Sequence, residues 1–226
     1  MVPEIIIIGG GKSIQEGISL GLKDKIKDKF VIACNYAYKH FPHTILAFVD
    51  RDFYKPRPDT NYPDIYNELK KEPLIIGLNI NGVEEFKLDN TILLGSKYRE
   101  PLTGIFALNI AEKIIERGII YLLGFDWTRR TGLLERDPNY NPNSDLQIHY
   151  YENIKHKGIG YVGYYENHNP DKKFVKFIKK DIKIYNVSLQ SNINCFEKIT
   201  YATFFSKLNN VVYNSNNLKQ KIINLF

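Results

Sequence analysis

The hydrophobic positions of this chain fall in short unbroken runs. Ile5-Ile6-Ile7-Ile8, Phe30-Val31-Ile32-Ala33-Cys34 and Thr44-Ile45-Leu46-Ala47-Phe48-Val49 are apolar stretches rich in β-branched side chains. Such runs predict strands buried on both faces, the state of central strands in a parallel sheet. Leu74-Ile75-Ile76 and Thr91-Ile92-Leu93-Leu94 are weaker examples, and Ile119 to Leu123 and Ile182 to Val187 complete the set. Between the runs the apolar residues take helical spacing. Ile14, Ile18 and Leu22 share one helical face, and residues 171–180 predict a basic helix. Thr200 to Leu208 predicts a short helix. The strongest helical pattern runs from Leu102 to Arg117, where Phe106, Ile110 and Ile114, with Leu108, Ala111 and Ile115, cover most of the circumference. Gly118 is its expected C-cap. Alternating strands and helices predict an α/β fold: a mostly parallel twisted sheet flanked by helices.

Two polar stretches interrupt this rhythm. Residues 54–66 are proline-bearing and predict a loop or short helix. From Thr128 the chain turns polar, with Arg129-Arg130, Pro138 and Pro142, and the segment of about 128–169 reads as an active-site loop or lid. No internal repeat or Gly/Ser linker divides the chain. The pattern therefore predicts one domain over residues 1–208 and an Asn-rich C-terminal appendage over 209–226, which docks as a helix or serves as an oligomer arm.

Composition narrows the class. A chain of 226 residues is long enough to bury a single core without a disulfide or metal staple. Hydrophobic residues at 43% and charged residues at 25% exclude collagen-like, disordered and disulfide-framework proteins. The net charge of +6 suits a polyanionic partner: a nucleotide phosphate, an acidic glycan, a nucleic acid or an anionic membrane. The abundant tyrosines are spread along the chain, which disfavours a nucleic-acid-stacking surface. Cys34 and Cys195 have no metal-ligand spacing, and Cys34 lies in an apolar run expected to bury it; both fit a reducing compartment. No apolar run reaches the ~18 residues of a membrane helix. Met1-Val2-Pro3-Glu4 lacks the positive start of a signal peptide. The expected location is the cytoplasm.

Candidate chemistry gathers where strands end. Gly9-Gly10-Gly11-Lys12-Ser13 follows the first strand and opens a helix, the layout of a mononucleotide-binding turn. The four-residue spacer of a Walker A loop is missing, so Lys12 is no P-loop lysine. A tight strand-to-helix turn capped by Ser13 is the competing reading. Asn35 and Asp50 end the second and third strands, at the edge where ligands of open α/β sheets collect. Asp50-Arg51-Asp52 has the D-x-D form whose carboxylates hold Mg²⁺ or Mn²⁺ against a diphosphate, though a solvated loop with Arg51 paired to a neighbouring acid also explains it. Thr103-Gly104 opens the long helix, as a cap or as a ligand-approach point. Among five histidines, His168 stands in a polar aromatic loop before a helix and is the candidate general base, with His149 and His156 as competitors.

This order of features, together with Gly124-Phe125-Asp126-Trp127 ending a late strand and His168-Asn169-Pro170-Asp171 leading into a helix, resembles the bacterial sialyltransferases of glycosyltransferase family 42. It also resembles the wider Rossmann-like group related to archaeal pterin pyrophosphokinases. The resemblance spans roughly residues 4–196. It implies a CMP-sugar donor held by Gly9, Gly10, Ser13, Asn35, Thr103 and Gly104; Gly11 in the same turn and Asp126 at the end of the late strand join them as nucleotide-binding candidates. It further implies that His168 is the base acting on a hydroxyl acceptor. The residues themselves, apart from the resemblance, offer Arg129, Arg130 or a metal at Asp50 and Asp52 to neutralise the leaving phosphate, which places Asp50 in the reaction centre. The pyrophosphokinase branch implies instead an ATP-dependent enzyme whose carboxylates, Asp50 and Asp52, bind Mg²⁺. A non-enzymatic nucleotide- or nucleic-acid-binding module is the third expectation.

Overall fold

A computed structural model describes residues 3–50, 65–78, 88–98, 100, 102–127, 169–209 and 218–225. The isoleucine run at the start of the chain forms the middle of its sheet. Glu4–Ile8 (β1) pairs in parallel with Val31–Cys34 (β2) on one side and with Gly118–Leu123 (β6) on the other. Beyond β2 lie Ile45–Phe48 (β3), Ile75–Leu78 (β4) and Thr91–Leu94 (β5); beyond β6 lie Ile182–Asn186 (β7) and Glu197–Lys198 (β8). The order is β5-β4-β3-β2-β1-β6-β7-β8, and every pairing is parallel. This is the Rossmann-like α/β architecture that the strand pattern predicts.

Both faces of the sheet are covered, which is why its central strands carry no polar alternation. Ile5 and Ile7 point into one core layer and Ile6 and Ile8 into the other, all essentially inaccessible to solvent. Burying one such side chain contributes roughly 1.5–3 kcal/mol. The first layer holds Phe106, Leu108, Ile110 and Ala111 of the long helix Thr103–Ile114 (α4), Phe174 of Asp171–Phe174 (α5) and Ile222 of Leu218–Leu225 (α7). The opposite layer holds Ile14 of Ile14–Ser19 (α1), Leu22 and Ile26 of Leu22–Ile26 (α2), Leu69 of Tyr66–Leu69 (α3), and Tyr201 and Phe204 of Tyr201–Lys207 (α6). Among the described residues no helix is long and apolar enough to cross a membrane.

Several boundaries differ from the sequence pattern. The first helix breaks in two at Gly21, whose φ of 78° is left-handed. As a result Ile18 is exposed while Leu22 is buried. The long helix stops at Ile114, and Ile115 is already extended. Gly118, expected as its cap, instead opens β6 and pairs with Ile182. The basic helix is a single α turn followed by a 3-10 turn, Val175–Phe177. β7 is not the last strand, because Glu197–Lys198 adds beside it. Thr200 caps α6, its hydroxyl accepting from the Thr203 N–H at 3.1 Å.

Candidate functional site

The sheet reverses its direction of growth between β1 and β6. Strands are added outward from β1 to β5, and α4 then carries the chain back to β6 on β1's other side. In open α/β sheets the crevice beyond the strand ends at such a reversal is the usual ligand site. Here it is bounded by the glycine turn after β1, by Asn35 after β2, by the first turn of α4 and by Gly124–Trp127 after β6.

The crevice is built from unusual backbone. Asn35 has φ 49° and Trp127 has φ 46°, and they are the positive-φ non-glycine residues among those described. Asparagine tolerates that region; a bulky aromatic adopts it only when its surroundings enforce it. The enforcing contacts at Trp127 come from the segment after β7. Asn186, fully buried, donates from Nδ2 to the Phe125 carbonyl at 3.1 Å and to Ser191 Oγ at 2.8 Å. The Ser191 hydroxyl donates to the same carbonyl at 2.7 Å. Asn192 donates its backbone N–H to Asp126 O and its side-chain amide to Trp127 O, each at 2.8 Å. Asp171 Oδ1, at the start of α5, accepts from the N–H groups of Asn194 at 2.6 Å and Cys195 at 3.0 Å.

Ser13 and Asp126 meet across the mouth of the crevice. The Ser13 N–H donates to Asp126 Oδ2 at 2.8 Å, and the Ser13 hydroxyl donates to Oδ1 in a short hydrogen bond. Ser13 thus occupies the N-cap position of α1 without capping it. The carboxylate lies over Gly11: a Cβ there would stand 2.5 Å from Oδ2 and 2.7 Å from the Gly124 carbonyl. Gly9 and Gly11 are accordingly required by the close approach of the β1 and β6 ends. Gly9 N–H donates to Leu123 O at 2.8 Å and Gly11 N–H to Gly124 O at 2.9 Å. Gly10 stays half-buried at the bend, and Lys12 is exposed.

On the other side, the Thr103 hydroxyl donates to Asn35 Oδ1 at 3.2 Å. Leu102 holds the N-cap position of α4, and Thr103, expected as a cap, is its first helical residue. Gly104 packs on the Phe125 ring, which also lies against Gly9. Phe125 therefore wedges between the glycine turn and the start of α4. Beneath this edge the Cys34 thiol is buried against the Thr103 carbonyl, and burial pushes its pKa up to about 12.

The fold thus brings together Gly9, Gly10, Gly11, Ser13, Asn35, Thr103, Gly104 and Asp126. Asp50 stands exposed just past the end of β3, at the same edge but two strands from β1. Asp52, Arg129, Arg130 and His168 lie outside the described residues. His43 bonds Glu72 through Nε2 at 2.6 Å and the Phe41 carbonyl through Nδ1 at 3.0 Å, a structural arrangement. Asn186, Ser191 and Asn192 had drawn no functional expectation. The one signal was a polar run, 186–194, directly after an apolar strand.

Of the pair expected to hold Mg²⁺ or Mn²⁺, Asp50 is described and Asp52 lies outside the described residues. Among the described residues no group of three or more His, Cys, Asp or Glu side chains gathers. No family model matches this chain, and no curated protein matches it.

Proposed function

We propose that this chain is a nucleotide-sugar-dependent glycosyltransferase that moves a sugar from a CMP-sugar donor to a hydroxyl acceptor. The observation that carries the reading is Asn35, set in a left-handed conformation at the β1/β6 reversal with its amide tied to the first turn of α4. A side chain amide that both donates and accepts, fixed beside a helix start, suits recognition of a nucleoside. Strain at this edge, at Asn35 and Trp127, adds support, since strained backbone clusters at functional sites.

In the proposed reaction His168 takes the proton of the acceptor hydroxyl, and that oxygen attacks the anomeric carbon of the donor. The bond from the anomeric carbon to the phosphate oxygen breaks, and its electron pair stays on the phosphate. Arg129 and Arg130 neutralise the charge that develops there. The assignment of His168 rests on the family resemblance, and that of Arg129 and Arg130 on their being paired cations in the polar stretch that follows β6.

Calorimetric titration of the full chain with CMP, UDP, GDP, ADP and ATP, each with and without Mg²⁺, tests this. Preference for CMP, unaffected by EDTA and lost in Asn35→Ala, is the expected result. Preference for ATP that requires Mg²⁺ would replace the reading by the pyrophosphokinase-like one, and binding of none of the five would end it.

A further inference from the structure

The glycine turn after β1 has the sequence of a phosphate cradle, yet a carboxylate already occupies it. Asp126 places Oδ2 at 2.8 Å from the Ser13 N–H and Oδ1 on the Ser13 hydroxyl. Two further N–H groups of the turn are also spent. Gly9 N–H is bonded to Leu123 O and Gly11 N–H to Gly124 O, so these two groups continue the β1–β6 ladder. Asp126 is itself buried, with 5% of its surface exposed, and the loop that carries it is clamped by Asn186, Ser191 and Asn192. A phosphate arriving at this turn would meet a fixed negative charge and find the Ser13 and Gly11 donors engaged. Two like charges in a site of low dielectric repel strongly.

We propose that Asp126 is a specificity-determining residue that excludes phosphate from the glycine turn and reserves this end of the crevice for the uncharged, hydroxyl-bearing part of the ligand. This rests on the nucleotide reading above and sharpens it: the ribose and base of the nucleotide face Gly9–Ser13 and Asn35, and the phosphate lies away from the turn. The chemistry of the group agrees. An ionised carboxylate has about four acceptor sites, and Ser13 uses two. The remaining lone pairs suit the hydroxyl donors of a sugar. Asn35, across the crevice, offers donors from its amide nitrogen while its oxygen accepts from Thr103.

Removing the charge without the shape separates this from a structural brace. In Asp126→Asn the side chain still reaches Ser13, its oxygen accepting from the N–H and its amide donating to the hydroxyl. Backbone-amide NMR and calorimetry on the full chain would compare cytidine, CMP and inorganic pyrophosphate. In the wild type the Gly10–Ser13 amides should shift alike with cytidine and CMP and stay still with pyrophosphate. In Asp126→Asn they should respond to pyrophosphate, and affinity for CMP should rise at least about tenfold relative to cytidine, because the repulsion is gone and the Ser13 hydroxyl, now accepting from the amide, is free to donate a charge-assisted bond to the phosphate. Ser13→Ala keeps the carboxylate and should show no such gain, which a mere loosening of the loop would produce in both variants.

Wild-type turn amides that follow the phosphate would overturn the proposal, as would an Asp126→Asn protein whose response to pyrophosphate equals that of the wild type. If neither cytidine nor CMP binds, the nucleotide reading fails, and the pyrophosphate comparison still decides whether Asp126 guards the turn.

Discussion

The Thr103 hydroxyl donates to Asn35 Oδ1 at 3.2 Å, joining residues 68 positions apart in the chain. One is the first residue of the helix that crosses back over the sheet, and the other is the first residue past β2. The bond orients the Asn35 amide where the backbone has turned to φ 49°. It therefore couples the crossover helix to the shape of the crevice.

Thr103→Val keeps the shape of the side chain and removes its hydroxyl. Loss of this bond should cost about 1 kcal/mol of stability in urea denaturation. Affinity for the proposed nucleotide should fall several-fold, because Asn35 can then rotate. Unchanged affinity would mean that other contacts fix the amide.

Gly11→Ala places a methyl group 2.5 Å from Asp126 Oδ2 and 2.7 Å from the Gly124 carbonyl. Overpacking of this kind typically costs about 1–3 kcal/mol. The double variant Gly11→Ala/Asp126→Ala should recover part of that loss and not all, since the Gly124 carbonyl still blocks the methyl. Denaturation midpoints of the two variants give the comparison; equal destabilisation would show that the carboxylate is not the obstacle.

Ile222 is fully buried in the core layer that contains α4, so the C-terminal appendage is docked at this residue. Ile222→Ala should destabilise the chain by about 3 kcal/mol. A loss below about 1 kcal/mol, read from the same denaturation curves, would show that α7 contributes little to the core.

Alkaline pH should unfold this protein early. Burial pushes the Cys34 thiol from its ordinary value of 9.0 up to about 12. Cys195 moves up to about 12 as well, chiefly through burial and secondarily through the Asp171 charge. Burial likewise raises the hydroxyls of Tyr38 and Tyr121, helped by Glu68 and Glu4 respectively. Each group has a folded pKa above its unfolded one, so its contribution is complete below about pH 9 and is lost as pH rises toward 12. Thermal unfolding followed between pH 8 and 11 should show the midpoint falling only above about 9. At pH 8 a thiol of pKa 12 is roughly one part in 10⁴ thiolate, so both cysteines should resist iodoacetamide until the chain is denatured. Rapid labelling of native Cys34 would contradict its burial.

The sheet was legible because its strands are hidden on both faces. Ile5–Ile8, Val31–Cys34 and Ile45–Phe48 have no solvent side, and an unbroken apolar run can be buried in full only between two helical layers. Parallel pairing followed from the helices between them. The strand-end positions of Asn35 and Asp50 were readable for the same reason, since a polar residue directly after such a run falls at the sheet edge.

What the sequence alone did not determine is which edge residues touch and what their groups are used for. Ser13 has the identity of a helix cap and the position of one, but its hydroxyl goes to Asp126, 113 residues away. A cap is a local interaction that residue identity can suggest. A partner across the β1/β6 reversal exists only once the strand order is set. The glycines of the turn carry the same lesson, because a glycine needed to approach phosphate and one needed to approach a neighbouring strand look alike in sequence. Tertiary structure decides between them, through the Asp126 carboxylate and the Gly124 carbonyl that fill the space beside Gly11. The short strand Glu197–Lys198 was invisible for a related reason: two charged residues have no strand pattern of their own, and only the open edge of β7 makes them one.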